Sequence, residues 1–206
     1  MLFDAIVLAG GRSSRLDGVP KAEFVDGGHT LLDRSLAAVR DAEDVVVVGT
    51  VLTGRVPAAV RITRESPPFG GPAAGIAAGM AALSDRPNDP NGFTVVLACD
   101  MPGVAAAVPV LLAKFPIPPD VDGVIAVEAG RRQPLVAVYR STALRAAIAL
   151  NRSPAGLSGL PVFRLINGLN LIPVVVPDGS TADVDTWADA ARLGLTEPKQ
   201  SGSSEP

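Results

Sequence analysis

The chain has 206 residues, 48% of them hydrophobic, and a formal net charge of −3. An acidic balance argues against nucleic acid or an anionic membrane as the main partner, because either favours a basic face. One cysteine, Cys99, excludes an internal disulfide and a cysteine-rich zinc site. No apolar run reaches the roughly 18 residues needed to span a bilayer. The chain starts on an apolar stretch at 2–8 and shows no secretory leader, so a cytoplasmic protein is expected. Apolar runs at 5–9, 45–49, 60–63, 93–98, 123–127, 135–139 and 171–176 predict strands. Between them, stretches at 31–40, 72–83, 104–115, 142–150, 157–166 and 186–193 predict helices. The early strands are continuously apolar, the pattern of parallel strands covered on both faces. Strands alternating with helices predict a three-layer, doubly wound α/β fold with a mostly parallel sheet. Pro72 suits a first helical turn. The segment DRPNDPN at 85–91 predicts a turn-rich loop. A single domain over 1–195 is expected, followed by a disordered polar tail over 196–206.

The stretch LAGGRSSRLDGVPKA at 8–22 follows the first strand. It joins a glycine pair, Gly10-Gly11, to two hydroxyls (Ser13, Ser14) and three cations (Arg12, Arg15, Lys21). Glycine lets backbone N–H groups approach a phosphate, because no Cβ holds the ligand away. Ser13 or Ser14 is expected to cap the following turn, with Arg15 and Lys21 carrying charge to a polyphosphate. The P-loop pattern does not fit, since Lys21 lies between Pro20 and Ala22. The GxGxxG dinucleotide fingerprint is also absent. The bland alternative is an ordinary strand-to-helix turn with surface cations.

The strand at 93–98 runs into Cys99-Asp100-Met101-Pro102. Ligands in open α/β sheets bind beyond the carboxyl ends of the strands, where both Asp100 and the glycine loop fall. A carboxylate beside a triphosphate is repulsive unless a cation such as Mg²⁺ lies between them. The alternative is an N-cap for the helix that begins near Val104. Cys99 is expected to be a buried thiol without a chemical role. His29, in a Gly-Gly-His-Thr turn, is expected to be solvated. No other histidine offers a general base. A phosphate-monoester acceptor needs none, being largely dianionic near neutral pH given a second pKa of about 6.

The string LAGG-R-S-S-R-L-x-G-x-x-K-A resembles the signature of the molybdenum cofactor guanylyltransferases and related nucleotidyltransferases with a Rossmann-like, glycosyltransferase-A-like fold. The resemblance runs from Asp4 to about Leu193. It implies that Leu8, Ala9, Gly10, Gly11 and Lys21 hold a nucleoside triphosphate with Arg15 alongside, and that Asp100 binds Mg²⁺. Lys21, Arg15 and Asp100 become the expected catalytic set. Two positions depart from the pattern: Leu16-Asp17 stands in place of Met-Gly, and Pro20 in place of an aspartate. A Pro-Lys pair is also similar to related cytidylyltransferases.

By the same resemblance, the segment RESPPFGGPAAG at 64–75 lies near the nucleobase and ribose, with Glu65 accepting from base or sugar and Gly71 passing close. Its small residues equally suit tight helix packing. Arg132, in an Arg-x-Pro-Leu strand, is placed on the acceptor side, although paired arginines usually face water. Asp183 and Asp185 resemble a late acidic motif. Either could complete the metal shell or sit near the acceptor; Asp183 is assigned to the acceptor and Asp185 to the metal, with spacing alone not deciding between them and a helix cap at Asp185 as the alternative. The implied activity is GMP transfer from GTP to the phosphate of molybdopterin. Transient contact with other molybdenum cofactor enzymes goes with it. Cytidylyl transfer from CTP and a catalytically weak nucleotide- or pterin-binding accessory protein are the rival readings.

Overall fold

The computed structural model describes residues 1–50, 56–83, 92–152 and 156–197. In chain order the strands are β1 (Phe3–Leu8), β2 (Val25–Asp26), β3 (His29–Thr30), β4 (Val45–Val48), β5 (Arg61–Thr63), β6 (Phe93–Ala98), β7 (Gly123–Glu128), β8 (Arg131–Arg140) and β9 (Leu171–Val175). The α-helices are α1 (Leu31–Ala38), α2 (Pro72–Ala82), α3 (Val104–Leu112), α4 (Ser141–Asn151), α5 (Val162–Leu165) and α6 (Trp187–Arg192).

Alternate residues of β1 point to opposite faces, and both faces are apolar. Phe3, Ala5 and Val7 enter one core cluster, with Leu32, Val39, Val104 and Leu111 around α1 and α3. Ile6 and Leu8 enter a second, with Ile76 and Met80 of α2, Leu144 and Ile148 of α4 and Leu165 of α5. A strand covered on both sides has no polar face to show, so the continuous apolar run is the direct record of three layers. Seven strands form one sheet in the order β5-β4-β1-β6-β8-β7-β9. The β1 pairings with β4 and β6 are parallel, as are β4 with β5 and β7 with β9. β8 runs antiparallel to both neighbours, β6 and β7. The sheet is therefore mostly parallel, with β8 reversed. Pro72 occupies the first turn of α2, where a missing N–H costs nothing.

Leu8 of β1 is level with Val48 of β4 and Ala98 of β6. The three carboxyl ends thus finish together, and the loops that leave them share one edge. A third, smaller cluster lies behind that edge: Leu16, Phe24, Leu31, Val184, Ala190 and Leu195.

The structure differs from expectation in four places. Residues 25–30 form a hairpin, pairing Val25 with Thr30 and Asp26 with His29 around Gly27-Gly28, both at positive φ. The helix expected over 157–166 contracts to α5, entered from Pro161. The helix expected over 104–115 ends at Leu112 and carries Pro109 inside it. Thr196, assigned above to the tail, pairs with Val25 through two backbone hydrogen bonds of 2.9 Å. Leu195 is buried in the third cluster, which carries the chain to that pairing. The loop at 85–91 and the tail from 198 lie outside the described residues.

Candidate active site

The shared edge opens into a cavity of about 740 Å³. Leu8, Ala9, Gly10, Gly11, Lys21, Glu65, Gly71 and Asp100 all line it. The glycine loop and the carboxylate after β6 therefore converge on one space. Backbone hydrogen bonds hold its floor: Ala9 N–H donates to the Val48 carbonyl at 2.8 Å and Cys99 N–H to the Leu8 carbonyl at 3.0 Å. Gly49 has φ +147, and a Cβ there would fall 2.5 Å from the Ala9 carbonyl carbon. Only glycine lets the ends of β1 and β4 approach this closely. Gly11 has φ +150, and no described residue lies within 4 Å of a built Cβ there.

Lys21 begins a short 3-10 turn (Lys21–Glu23) entered from Pro20. Its ammonium donates to Asp100 Oδ2 at 2.9 Å and also to Asp185 Oδ1. Burial pulls the Lys21 pKa down, but the Asp100 and Asp185 carboxylates outweigh it and hold the group above its ordinary value. Burial, then the Asp100 charge, pushes the Asp183 carboxyl up. Burial, again followed by Asp100, raises the Cys99 thiol, so it stays protonated and inert at neutral pH. The second oxygen of Asp100, Oδ1, is buried and has no hydrogen-bond partner among the described residues. A buried, unpartnered carboxylate oxygen is costly unless a cation completes it. The unpartnered oxygen of Asp100 therefore suits a cation such as magnesium. No group of three or more potential ligands occurs among the described residues. Phosphate oxygens and water would have to supply the rest, which is how Mg²⁺ is usually held.

Several expected roles change. Arg15 is exposed and absent from the cavity lining, whereas Arg12 is part of it. The Arg12 guanidinium lies over the Phe69 ring, 5.3 Å from its centroid, and Phe69 lines the cavity too. An exposed contact of this kind is worth about 0.5–1 kcal/mol. Ser13 precedes the 3-10 turn Ser14–Leu16 but makes no side-chain cap. Asp100 does not cap α3, whose N-cap is Gly103. Asp185 does not cap α6; Thr186 does, in a capping box with Asp189. Arg132 is exposed, lies outside the cavity lining and donates to the Leu171 carbonyl at 3.3 Å, so its acceptor role rests on the resemblance alone. Asp183 and Asp185 flank the cavity rather than line it, tied to it by the Val184 N–H, which donates to the Asp100 carbonyl at 3.1 Å. Asp17, a departure from the resembled pattern, accepts from the Trp187 indole N–H at 2.9 Å, and Trp187 packs on Phe24. Sequence reasoning passed over Phe69. Its signal was an aromatic between Pro67-Pro68 and Gly70-Gly71 in a chain that is only 4% aromatic.

Residues 5–161 match the family described as MobA-like NTP transferase domain. A probable molybdenum cofactor guanylyltransferase of Clostridium perfringens (strain SM101) is 29% identical over 138 residues, 67% of this chain and 66% of that protein. The match thus spans just under two thirds of that relative's length. The molybdopterin-guanine dinucleotide biosynthesis protein A of Archaeoglobus fulgidus superposes with a TM-score of 0.65 at 21% identity, over 92% of this chain and 96% of that one. The 2-C-methyl-D-erythritol 4-phosphate cytidylyltransferase of Francisella tularensis gives a TM-score of 0.71 at 14% identity, over 94% and 99%. At such identities the two structures establish the fold, the mostly parallel α/β sheet of nucleotidyltransferases. With 157 consecutive positions matched (5 through 161), the chain belongs to the MobA-like NTP transferase domain family of nucleotidyltransferases.

Proposed function

We propose that this protein transfers GMP from GTP to the phosphate of molybdopterin and releases pyrophosphate. The observation that carries the reading is the meeting of Gly10-Gly11, Lys21 and Asp100 in one cavity. Guanine and molybdopterin come from the likeness to relatives whose names state guanylyl transfer and molybdenum cofactor synthesis.

In this reaction an oxygen of the acceptor phosphate attacks the α-phosphorus of GTP. The bond from that phosphorus to the bridging oxygen breaks, and pyrophosphate leaves with the electron pair. The acceptor dianion is already a nucleophile, so no side chain has to remove a proton. The obstacle is bringing one anion onto another. Lys21 lines the same cavity as the glycine loop, and its raised pKa keeps it charged across the neutral range. The N–H groups at Gly10 and Gly11, and Arg12 once it leaves the Phe69 ring, would supply donors to phosphate oxygens. Asp100, with Asp185, would hold Mg²⁺, which when bound screens the triphosphate and polarises the phosphoryl group. Glu65 and Gly71 stand on the opposite loop, suited to base and ribose, and Asp183 flanks the acceptor side. Arg15 and Arg132, both exposed, are left to a supporting part in phosphate and acceptor capture.

The reading places the protein in the cytoplasm as one domain that runs through Thr196, handing its product to other molybdenum cofactor enzymes. No described helix is long and apolar enough to cross a membrane. The test is pyrophosphate release with each nucleoside triphosphate in turn, with and without molybdopterin. Release with GTP that requires molybdopterin is expected. Release with CTP alone would make it a cytidylyltransferase, and none with any nucleotide would leave an accessory binding protein.

A further inference from the structure

We propose that Phe69 is a stacking platform for a planar heterocycle at the mouth of the cavity, uncovered when Arg12 turns to the triphosphate. The inference rests on the nucleotide-binding reading above and deepens it. Phe69 is 53% exposed and lines the cavity, so its ring is open to a ligand held there. It also has φ +61, a left-handed conformation that bulky residues avoid. Strain of this sort persists where neighbouring structure enforces it, and it clusters at ligand sites. The Glu65 carboxylate accepts from the Phe69 N–H at 3.1 Å and itself lines the cavity. The ring is thus held at the cavity by a residue of the same site.

Arg12 occupies the ring face, on a chain segment that leaves Gly11 at φ +150. Among the described residues no carboxylate pairs with it. A triphosphate at the adjacent glycine loop offers charge-assisted hydrogen bonds that an exposed cation–π contact does not match. Arg12 would exchange the ring for the phosphates, leaving a free aromatic face beside bound nucleotide. Stacking on an aromatic side chain is tolerant of base identity, because every flat heterocycle has a π-face. The nucleobase and the acceptor's pterin ring are both candidates of that one chemistry.

Binding of GTP and of inorganic tripolyphosphate, each with Mg²⁺, separates the parts. Phe69→Gly removes the ring and relaxes the strained backbone, so its thermal midpoint should stay near or above that of wild type. It should bind GTP about tenfold more weakly and tripolyphosphate as tightly as wild type or a few-fold tighter, because Arg12 no longer has a ring to leave, with Phe69→Tyr close to wild type. Unchanged GTP and tripolyphosphate binding with about a tenfold higher KM for molybdopterin would assign the ring to the pterin instead. Arg12→Ala should weaken both GTP and tripolyphosphate. Equal losses of both ligands in Phe69→Gly would overturn the platform, as would no change in any of the three measurements. Tripolyphosphate binding untouched by Arg12→Ala would overturn the exchange. Wild-type protein that takes up neither GTP, CTP nor tripolyphosphate would remove the nucleotide reading itself, and the platform with it.

Discussion

The two oxygens of Asp100 live in different surroundings. Oδ2 is bound by the Lys21 ammonium at 2.9 Å, while Oδ1 is buried without a partner among the described residues. Folding gains little from the second oxygen, since an unsatisfied buried acceptor costs about 1–3 kcal/mol. Its value must lie in a ligand. Asp100→Asn keeps the shape and removes the charge. Lys21 loses one ion-pair partner but keeps Asp185, so the urea midpoint should stay close to wild type, while pyrophosphate release falls by about 10²–10³-fold, the scale of losing one electrostatic anchor in a phosphoryl site. A variant that turns over normally with magnesium present would deprive Asp100 of its assigned role. A variant equally inactive but largely unfolded would recast the residue as structural.

At the scale of elements, the site depends on how closely β1 and β4 approach. Gly49 and Gly11 make the point by contrast. Both have φ values that side chains avoid, +147 and +150. A Cβ at Gly49 would collide with the Ala9 backbone at 2.5 Å, whereas one at Gly11 would meet no described residue within 4 Å. Gly49→Ala should therefore cost about 3 kcal/mol, combining strain and overpacking, and should displace the loop that carries Gly10. Gly11→Ala should cost about 1 kcal/mol from strain alone. Urea unfolding of the two variants checks the order, and equal losses would mean the floor of the cavity yields easily. These two glycines also show what the sequence makes legible. Most strands of the main sheet were readable because they contain local apolar runs, and the glycine loop because its residues are contiguous. The β2–β3 hairpin was not: its strands are two residues each, stabilised by neighbours such as Thr196 that are remote in sequence. The choice of Arg12 over Arg15 was equally hidden, because backbone turns at Gly11 and Ser13, both at positive φ, decide which guanidinium reaches the cavity. Asp17 looked like a defect in a motif; its partner Trp187 is 170 residues away.

Across the whole molecule, two buried groups set the alkaline limit of stability, and each occurs once in the chain: Cys99 and Tyr139. Both are buried, and burial raises both pKa values above ordinary values of 9.0 and 10.0. The unfolded chain therefore releases these protons first. Above each ordinary value the folded state holds more protons than the unfolded state, so stability falls as pH rises. Below those values the contribution is fully present. Cys99 acts first. A group that stays protonated when folded and ionises when unfolded loses about 1.4 kcal/mol per pH unit above its unfolded value. Between about pH 8 and about pH 10, wild type should lose about 1.4 kcal/mol more than Cys99→Ala, with Tyr139 adding only its first few tenths to both. Lys21, raised above 10.5 by its two carboxylates, enters later and with the same sign, since its charge is lost only as pH climbs through that raised value. Urea midpoints of the two proteins across this range decide the matter. Parallel curves would mean that the thiol ionises as readily in the folded protein as in the unfolded chain. That would place solvent at Cys99, beside Asp100, and leave too wet a wall for the electrostatics on which the proposed transfer depends.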